Sequence, residues 1–208
     1  MSGLPSGAAD RVPVLVRGYV LAGGQSSRMG RDKALLELDG RTLLRKTYEL
    51  LERVCGQAVI VGPAARYASL GLPLIEDARP GCGPLSGLES ALADCQGSAR
   101  GAAEWALVVA CDMPSLDERA LRQLLMEAEK QDGAQAIVPV SADGRRQPLC
   151  ALYRAGARDA VSKQLETGNF RLLEALGRMA CRWAPFDSSR HFLNVNTPEE
   201  WEAIHARQ

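Results

Sequence analysis

Short apolar runs alternate with helix-period patterns along the whole chain, and no other feature limits the fold so strongly. Val14 to Leu21, Ala58 to Val61, Leu72 to Ile75 and Ala106 to Cys111 read as strands, the last being the most apolar. Ala136 to Val140 and Pro148 to Tyr153 read as two more, separated by a polar turn at Asp143-Gly144, and a late strand covers about 181–186. Between them, Arg41 to Val54 places Leu43, Leu44, Leu50 and Leu51 on one helical face. Pro84 suits the first turn of a helix running to Asp94. Ser115 with Glu118 spells a capping box for a helix reaching about Lys130, and Thr197-Pro198-Glu199-Glu200 spells the start of the last helix. Further helices are expected at about 155–166 and 170–177. The alternation predicts a single α/β domain over residues 14–208, Rossmann-like, behind a flexible tail of residues 1–13. Its sheet should be mostly parallel, with helices on both faces.

Composition narrows the function classes. The 208 residues carry 25 Lys and Arg against 25 Asp and Glu, so no global field draws the chain to nucleic acid or an anionic membrane. No apolar run approaches the ~18 residues of a membrane span. Asp10 near the start and Arg17 inside the first apolar segment make a poor signal peptide. The six cysteines (Cys55, Cys82, Cys95, Cys111, Cys150, Cys181) are scattered without a CxxC pair. That pattern reads as buried thiols in a reducing cytoplasm, neither a disulfide framework nor a metal cluster. Neither of the two histidines, His191 and His205, is accompanied by a GxSxG turn, which disfavours a Ser-His-Asp hydrolase. No long apolar surface helix asks for a partner, and a monomer is the expected state.

In open α/β sheets, ligands bind beyond the carboxyl ends of the strands. The residues after Leu21, Val61, Ile75 and Cys111 are therefore where chemistry is sought. The first of these stretches, Leu21 to Lys33, reads LAGGQSSRMGRDK. Glycine amides can approach phosphate oxygens closely, and Arg28 and Lys33 would supply the countercharge, one as a fork and one as a point charge. The spacing is not that of a P-loop, because Gly24 and Gly30 are one residue too far apart, nor is it GxGxxG. The bland alternative is a flexible turn. Asp112 ends the most apolar strand, where a carboxylate suits Mg²⁺ together with phosphate oxygens and water. The competing reading is a turn or capping aspartate, although Ser115 offers the better capping position. Asp77, followed by Ala78-Arg79-Pro80-Gly81, reads equally as the start of a turn. Cys82 to Gly87 presents backbone groups at the mouth of a helix, and the same residues also serve as a glycine-proline helix start.

The loop L-A-G-G-x-S-x-R-M-G-x-D-K closely resembles that of the nucleotidyltransferases that build molybdenum cofactor dinucleotides, above all the molybdenum cofactor guanylyltransferase (MobA-type) family. The likeness continues through Ile75-Glu76-Asp77, Gly83-Pro84-Leu85-Ser86-Gly87, Cys111-Asp112-Met113-Pro114, Gln147-Pro148-Leu149 and Asn194-Val195-Asn196-Thr197-Pro198-Glu199-Glu200. Together these span about residues 15–205. The resemblance implies a nucleotide site of Leu21, Ala22, Gly23, Gly24, Lys33, Gly62, Asp77, Gly83 and Asp112. Arg28, Lys33 and Asp112 would be catalytic, and Asp112 would hold Mg²⁺. It places the guanine near Cys82 to Gly87, and it leaves open whether Asp77 meets the nucleotide or a metal. Some relatives carry a polar residue where this chain has Gly62, so any contact there must come from backbone. Arg171, Asn194 and Asn196 fall in the region that receives the pterin, though the two asparagines could equally be a turn shaping the approach to the last helix. Arg145 and Arg146, beside Gln147-Pro148, are either solvated or turned toward an anionic substrate.

The implied activity is transfer of GMP from Mg·GTP to the terminal phosphate of molybdenum-loaded molybdopterin, releasing pyrophosphate. Delivery of the product implies transient contacts with apo-molybdoenzymes and other cofactor-biosynthesis proteins. The near alternative is cytidylyl transfer to the same pterin. That group typically has Ala at the position of Gly24, so LAGG leans toward guanine. More distant alternatives are another small-molecule nucleotidyltransferase and a non-catalytic nucleotide-binding module. The retention of Lys33 and Asp112 counts against the last.

Overall fold

The structure, a computed structural model, describes residues 15–23, 32–130 and 132–205. The tail of residues 1–13, Val14, Gly24 and Arg28 lie outside the described residues. Strand β1 (Val16–Leu21) is followed, past a 3-10 turn at Lys33–Leu35, by a hairpin of two-residue strands, β2 (Glu37–Leu38) and β3 (Arg41–Thr42). Next come α1 (Leu43–Cys55), β4 (Ala58–Val61), α2 (Ala64–Tyr67), β5 (Leu74–Ile75), α3 (Pro84–Gln96) and β6 (Trp105–Ala110). The chain continues through α4 (Glu118–Ala128), β7 (Ala136–Val140), β8 (Cys150–Arg154), α5 (Arg158–Glu166), α6 (Leu172–Leu176), β9 (Cys181–Pro185) and α7 (Pro198–His205).

The main sheet has seven strands in the order β5-β4-β1-β6-β8-β7-β9. Its pairs are parallel except where β8 runs against β6 and β7. The mostly parallel α/β expectation holds. β1 lies between β4 and β6, with Leu21 opposite both Val61 and Ala110. From β1 the chain first builds outward through β4 and β5, then returns to place β6 on the other side. That reversal opens a crevice above the carboxyl ends of β1 and β6.

Alternate residues of each strand feed opposite faces, as a pleated sheet requires. Val20, Ile60, Leu107, Val109 and Leu152 pack with Leu44, Leu51, Leu121 and Leu124 of α1 and α4. Tyr19, Val59, Val108, Val138 and Ala151 pack with Leu88, Leu92, Val161 and Leu176 of α3, α5 and α6. Gly18 lets α1 lie close on β1, because a Cβ there would stand 2.8 Å from Leu51 Cβ. α3, enclosed between the sheet and α5, buries Leu85, Ser86, Gly87, Leu88, Glu89 and Ser90 in succession.

Two helix starts differ from the sequence expectation. α1 begins at Leu43, because Arg41 and Thr42 pair with β2 and the Thr42 hydroxyl accepts from the Arg45 N–H at 3.2 Å. α4 is capped by Asp117, whose Oδ1 accepts from the Ala120 N–H at 2.9 Å, and not by Ser115. Ser115 falls inside a turn closed by Leu116 N–H on Met113 O at 3.1 Å, so the first helical residue is Glu118. A carboxylate at the cap also meets the positive end of the helix dipole. The last helix follows expectation: Thr197 Oγ1 accepts from Glu200 N–H, and Glu200 Oε2 accepts from Thr197 N–H, both at 3.2 Å.

Candidate active site

A cavity of about 430 Å³ opens at the switch between β1 and β6. Its lining includes Leu21, Ala22, Gly23, Lys33, Asp77, Gly83 and Asp112. Residues separated by up to about ninety positions are thus gathered on one edge of the sheet, where the strand ends deliver them.

Asp112 stands one residue beyond Cys111, whose N–H donates to Leu21 O at 3.3 Å and ties the end of β6 to the end of β1. Asp112 Oδ2 is 3.9 Å from Lys33 Nζ. Asp112 Oδ1 is buried and has no hydrogen-bond partner among the described residues. Burial pushes the Asp112 carboxyl above the usual carboxylate range, and the Lys33 ammonium pulls it part of the way back. A buried carboxylate oxygen without a donor is costly unless something positive is delivered to it. Among the described residues no cluster of three or more His, Cys, Asp and Glu side chains would cage an ion. Mg²⁺ does not require one: it binds through one or two carboxylates and takes its other ligands from phosphates and water. The orphaned oxygen therefore fits such an ion. Cys111, also on the cavity wall, has its thiol pushed well up by burial and by Asp112, so it stands there protonated.

Lys33 opens the 3-10 turn, and Asp32 caps that turn by accepting from the Ala34 N–H at 3.1 Å. The Lys33 ammonium donates to Asn196 Oδ1 at 2.7 Å. Asn196 is brought there by Val195, which is fully buried and whose N–H donates to Asp112 O at 2.9 Å. The segment before α7 thus touches the Lys33 ammonium through Asn196 and the Asp112 backbone carbonyl through Val195. Asn194 and Arg171 are exposed, and neither is among the described residues lining the cavity.

On the opposite wall, Asp77 Oδ1 accepts from the Arg79 N–H at 3.1 Å and from the Ser86 hydroxyl. Arg79 in turn pairs with buried Glu89 at 3.0 Å. The loop before α3 is thereby fastened to the helix that follows it. Gly83, at φ 67°, adopts a backbone conformation that favours glycine and delivers Pro84 to the first helical position. Gly62 is not among the described lining residues. Its N–H is engaged by Ile75 O at 3.0 Å, and a Cβ there would come within 3.0 Å of Ala22 O and of the Tyr67 ring. The Ala22 N–H is likewise engaged, by Val61 O at 2.9 Å. Arg146 lies over the Trp183 ring at 4.2 Å, while Arg145 turns to Asp143 at 3.4 Å. His191 sits 3.5 Å from Asp117, at the start of α4, and is not among the lining residues.

Sequence reasoning missed Asp32 and Tyr67. Asp32 shares the cavity wall with Lys33, and its Oδ2 accepts from the Tyr67 hydroxyl at 2.9 Å. Asp32 was legible as the residue before the motif lysine. Tyr67, buried in a short helix that follows no strong pattern, was not.

The description "MobA-like NTP transferase domain" matches residues 18–180. The molybdenum cofactor guanylyltransferase of Xanthomonas euvesicatoria is 35% identical over 192 residues, which cover 90% of this chain and 93% of that one. Its counterpart from Cupriavidus metallidurans is 33% identical, covering 89% and 92%. Among solved structures, molybdopterin-guanine dinucleotide biosynthesis protein A from Archaeoglobus fulgidus superposes with a TM-score of 0.77 at 26% identity, over 92% of this chain and 100% of that one. With the strand order, the switch-point cavity and these relatives in agreement, the chain belongs to the MobA-like NTP transferase family and is a nucleotidyltransferase.

Proposed function

We propose that the protein transfers GMP from GTP to the terminal phosphate of molybdenum-loaded molybdopterin, forming the guanine dinucleotide cofactor and pyrophosphate. The observation that carries this reading is the Asp112 carboxylate on the cavity floor, with Oδ2 3.9 Å from the Lys33 ammonium and buried Oδ1 without a hydrogen-bond partner among the described residues. The choice of guanine and of the pterin is supported by the names of the relatives.

The chemistry asks little of a general base. A phosphate monoester has a second pKa of about 6, so the acceptor is already largely dianionic at neutral pH. The difficulty is to bring two anions together and to stabilise the leaving pyrophosphate. Lys33 supplies a positive charge at the cavity floor, held at its tip by Asn196, with Arg28 as the second cation of the loop. Leu21, Ala22 and Gly23 bring backbone close to the nucleotide, and Gly24 is assigned to the same nucleotide site. Since the Ala22 and Gly62 N–H groups are engaged within the sheet, Ala22 and Gly62 act toward the nucleotide through carbonyls and shape. Asp77, Gly83 and the start of α3 form the base-side wall. Asp112 would hold Mg²⁺, which when bound offsets phosphate charge. Arg171, Asn194 and Asn196 would meet the pterin, with Asn196 shared between that substrate and Lys33. The reading places the reaction in the cytoplasm, where six free thiols are stable, in a monomer that hands its product to apo-molybdoenzymes by transient contact. No helix among the described residues is long and apolar enough to cross a membrane.

The test is a product assay with purified protein, Mg²⁺, molybdenum-loaded molybdopterin and each of the four ribonucleoside triphosphates in turn. The guanine dinucleotide should form with GTP alone. A cytosine product would keep the mechanism and overturn the base, and no product from folded protein would overturn the acceptor.

A further inference from the structure

Lys33 must present its ammonium to the cavity with sub-ångström reproducibility if it is to act on a transferring phosphoryl group. Its side chain is steadied at the tip by Asn196, but its backbone sits at the head of a turn only three residues long. Such a turn has few internal hydrogen bonds to fix it. What fixes this one is Asp32, and each oxygen of that carboxylate has its own task. Oδ1 accepts from the Ala34 N–H at 3.1 Å, inside the turn. Oδ2 accepts from the Tyr67 hydroxyl at 2.9 Å, and half-exposed Arg66 lies at 3.5 Å.

Tyr67 is a rigid anchor for that contact. It is 1% exposed, and its ring packs on Gly62 so closely that a Cβ at that glycine would be 3.0 Å from Cε2. Gly62 in turn abuts Ala22 O and is bonded to Ile75 O at 3.0 Å, so the ring is referenced to the ends of β1, β4 and β5. Burial and the Asp32 carboxylate push the phenol well up, so the hydroxyl remains a donor. Tyr67 itself is not among the described residues lining the cavity.

We propose that Tyr67 is a positioning residue for Lys33, transmitting the rigidity of the sheet edge through Asp32 to the turn that carries the lysine. The proposal rests on the nucleotidyl-transfer reading for its consequence, but not for its geometry. This division also gives Gly62 a role that needs no contact with nucleotide, because a side chain there would displace the ring.

Tyr67→Phe removes one oxygen and keeps the packing. In the full chain without substrate, hydrogen exchange at the Ala34 amide should accelerate about 10-fold, while amides in β1 and α3 are unchanged. Unchanged exchange at Ala34, or acceleration spread over the whole sheet, would overturn the proposal, whatever the enzyme's substrate proves to be. In the product assay, Tyr67→Phe should lower kcat about 10-fold and leave the KM for GTP within about 2-fold, as expected for a misplaced but present catalytic group. Asp32→Ala should make the effect of Tyr67→Phe vanish, since both variants break one chain of contacts. Independent, multiplying losses in the double variant would mean that Tyr67 acts elsewhere. A wild-type protein that forms no product would refute the proposed reaction and leave the exchange experiment to decide the positioning.

Discussion

At the scale of single residues, Asp112 sets stability against turnover. Its Oδ1 is buried without a donor among the described residues, and burial raises its pKa in the folded protein. Below the ordinary carboxylate range both folded and unfolded chains hold the proton, and there is no penalty. As pH rises past that range the unfolded chain releases its proton first, so the folded state loses stability until the raised pKa is passed. Asp112→Asn removes the charge. In metal-free buffer at neutral pH it should stabilise the protein by about 1 kcal/mol, the lower end of the cost of an unsatisfied buried group. A thermal melt should rise by roughly 2–4 °C, with a gain that shrinks at low pH. The same variant should turn over at least ~100-fold more slowly. A melt lower than wild type would show that Oδ1 is satisfied. Lys33→Ala should also lower turnover, by about 10²–10³-fold, but for stability it works in the opposite sense, because it removes the ammonium that pulls the Asp112 pKa down. Both residues were legible in the sequence: Asp112 because a carboxylate directly beyond an apolar strand has few places to be other than the ligand edge, and Lys33 because it closes the glycine-rich loop that follows the first strand.

Among elements, helix termini show where sequence patterns decide and where they do not. The cap of α7 was readable because Thr197, Pro198 and Glu200 agree on one register, and the structure closes that box. At α4, Ser115 with Glu118 matched the same pattern and was wrong, because Asp117 two residues later offered a stronger acceptor once Met113 to Leu116 had closed into a turn. Glu118, displaced to the first turn, pairs with Arg122 at 2.7 Å instead. Asp117→Ala should therefore destabilise the protein by about 1 kcal/mol, and Ser115→Ala by less than ~0.5 kcal/mol. Urea denaturation of the two variants settles the register, and a larger loss for Ser115 would restore the original box. The short hairpin of β2 and β3 and the turn carrying Lys33 were not foreseen. Elements of two or three residues contain no full period, and they exist here because Thr42 caps α1 and Asp32 caps the turn.

Across the whole molecule, the two edges of the sheet carry different tasks. The carboxyl edge gathers the cavity, and the amino edge holds a buried ion-pair network that no periodicity announces. Arg17, 2% exposed in β1, donates to Asp94 Oδ2 at 3.1 Å and to the backbone oxygens of Arg100 and Gly101 at 3.0 and 2.9 Å. Tyr19 donates to the same Asp94 oxygen at 2.9 Å, and Arg100 reaches Oδ1 at 3.2 Å. An arginine inside an apolar run argued against a signal peptide, but nothing in the sequence named its partner 77 residues away. Asp94 fastens the far end of α3 to β1, so the helix whose head walls the cavity is held at its tail by this network. Removing the carboxylate leaves a buried guanidinium uncompensated. Asp94→Ala should cost about 3–5 kcal/mol, a large share of the roughly 5–15 kcal/mol that holds a domain together. Because the opposite edge carries the chemistry, kcat per folded molecule should stay within about 2-fold of wild type under conditions where the variant remains folded. Denaturant titration and kcat measured on the same preparation test both statements. A large loss of kcat in folded Asp94→Ala would mean that the tail of α3 controls the placement of Gly83 and Asp77 at its head.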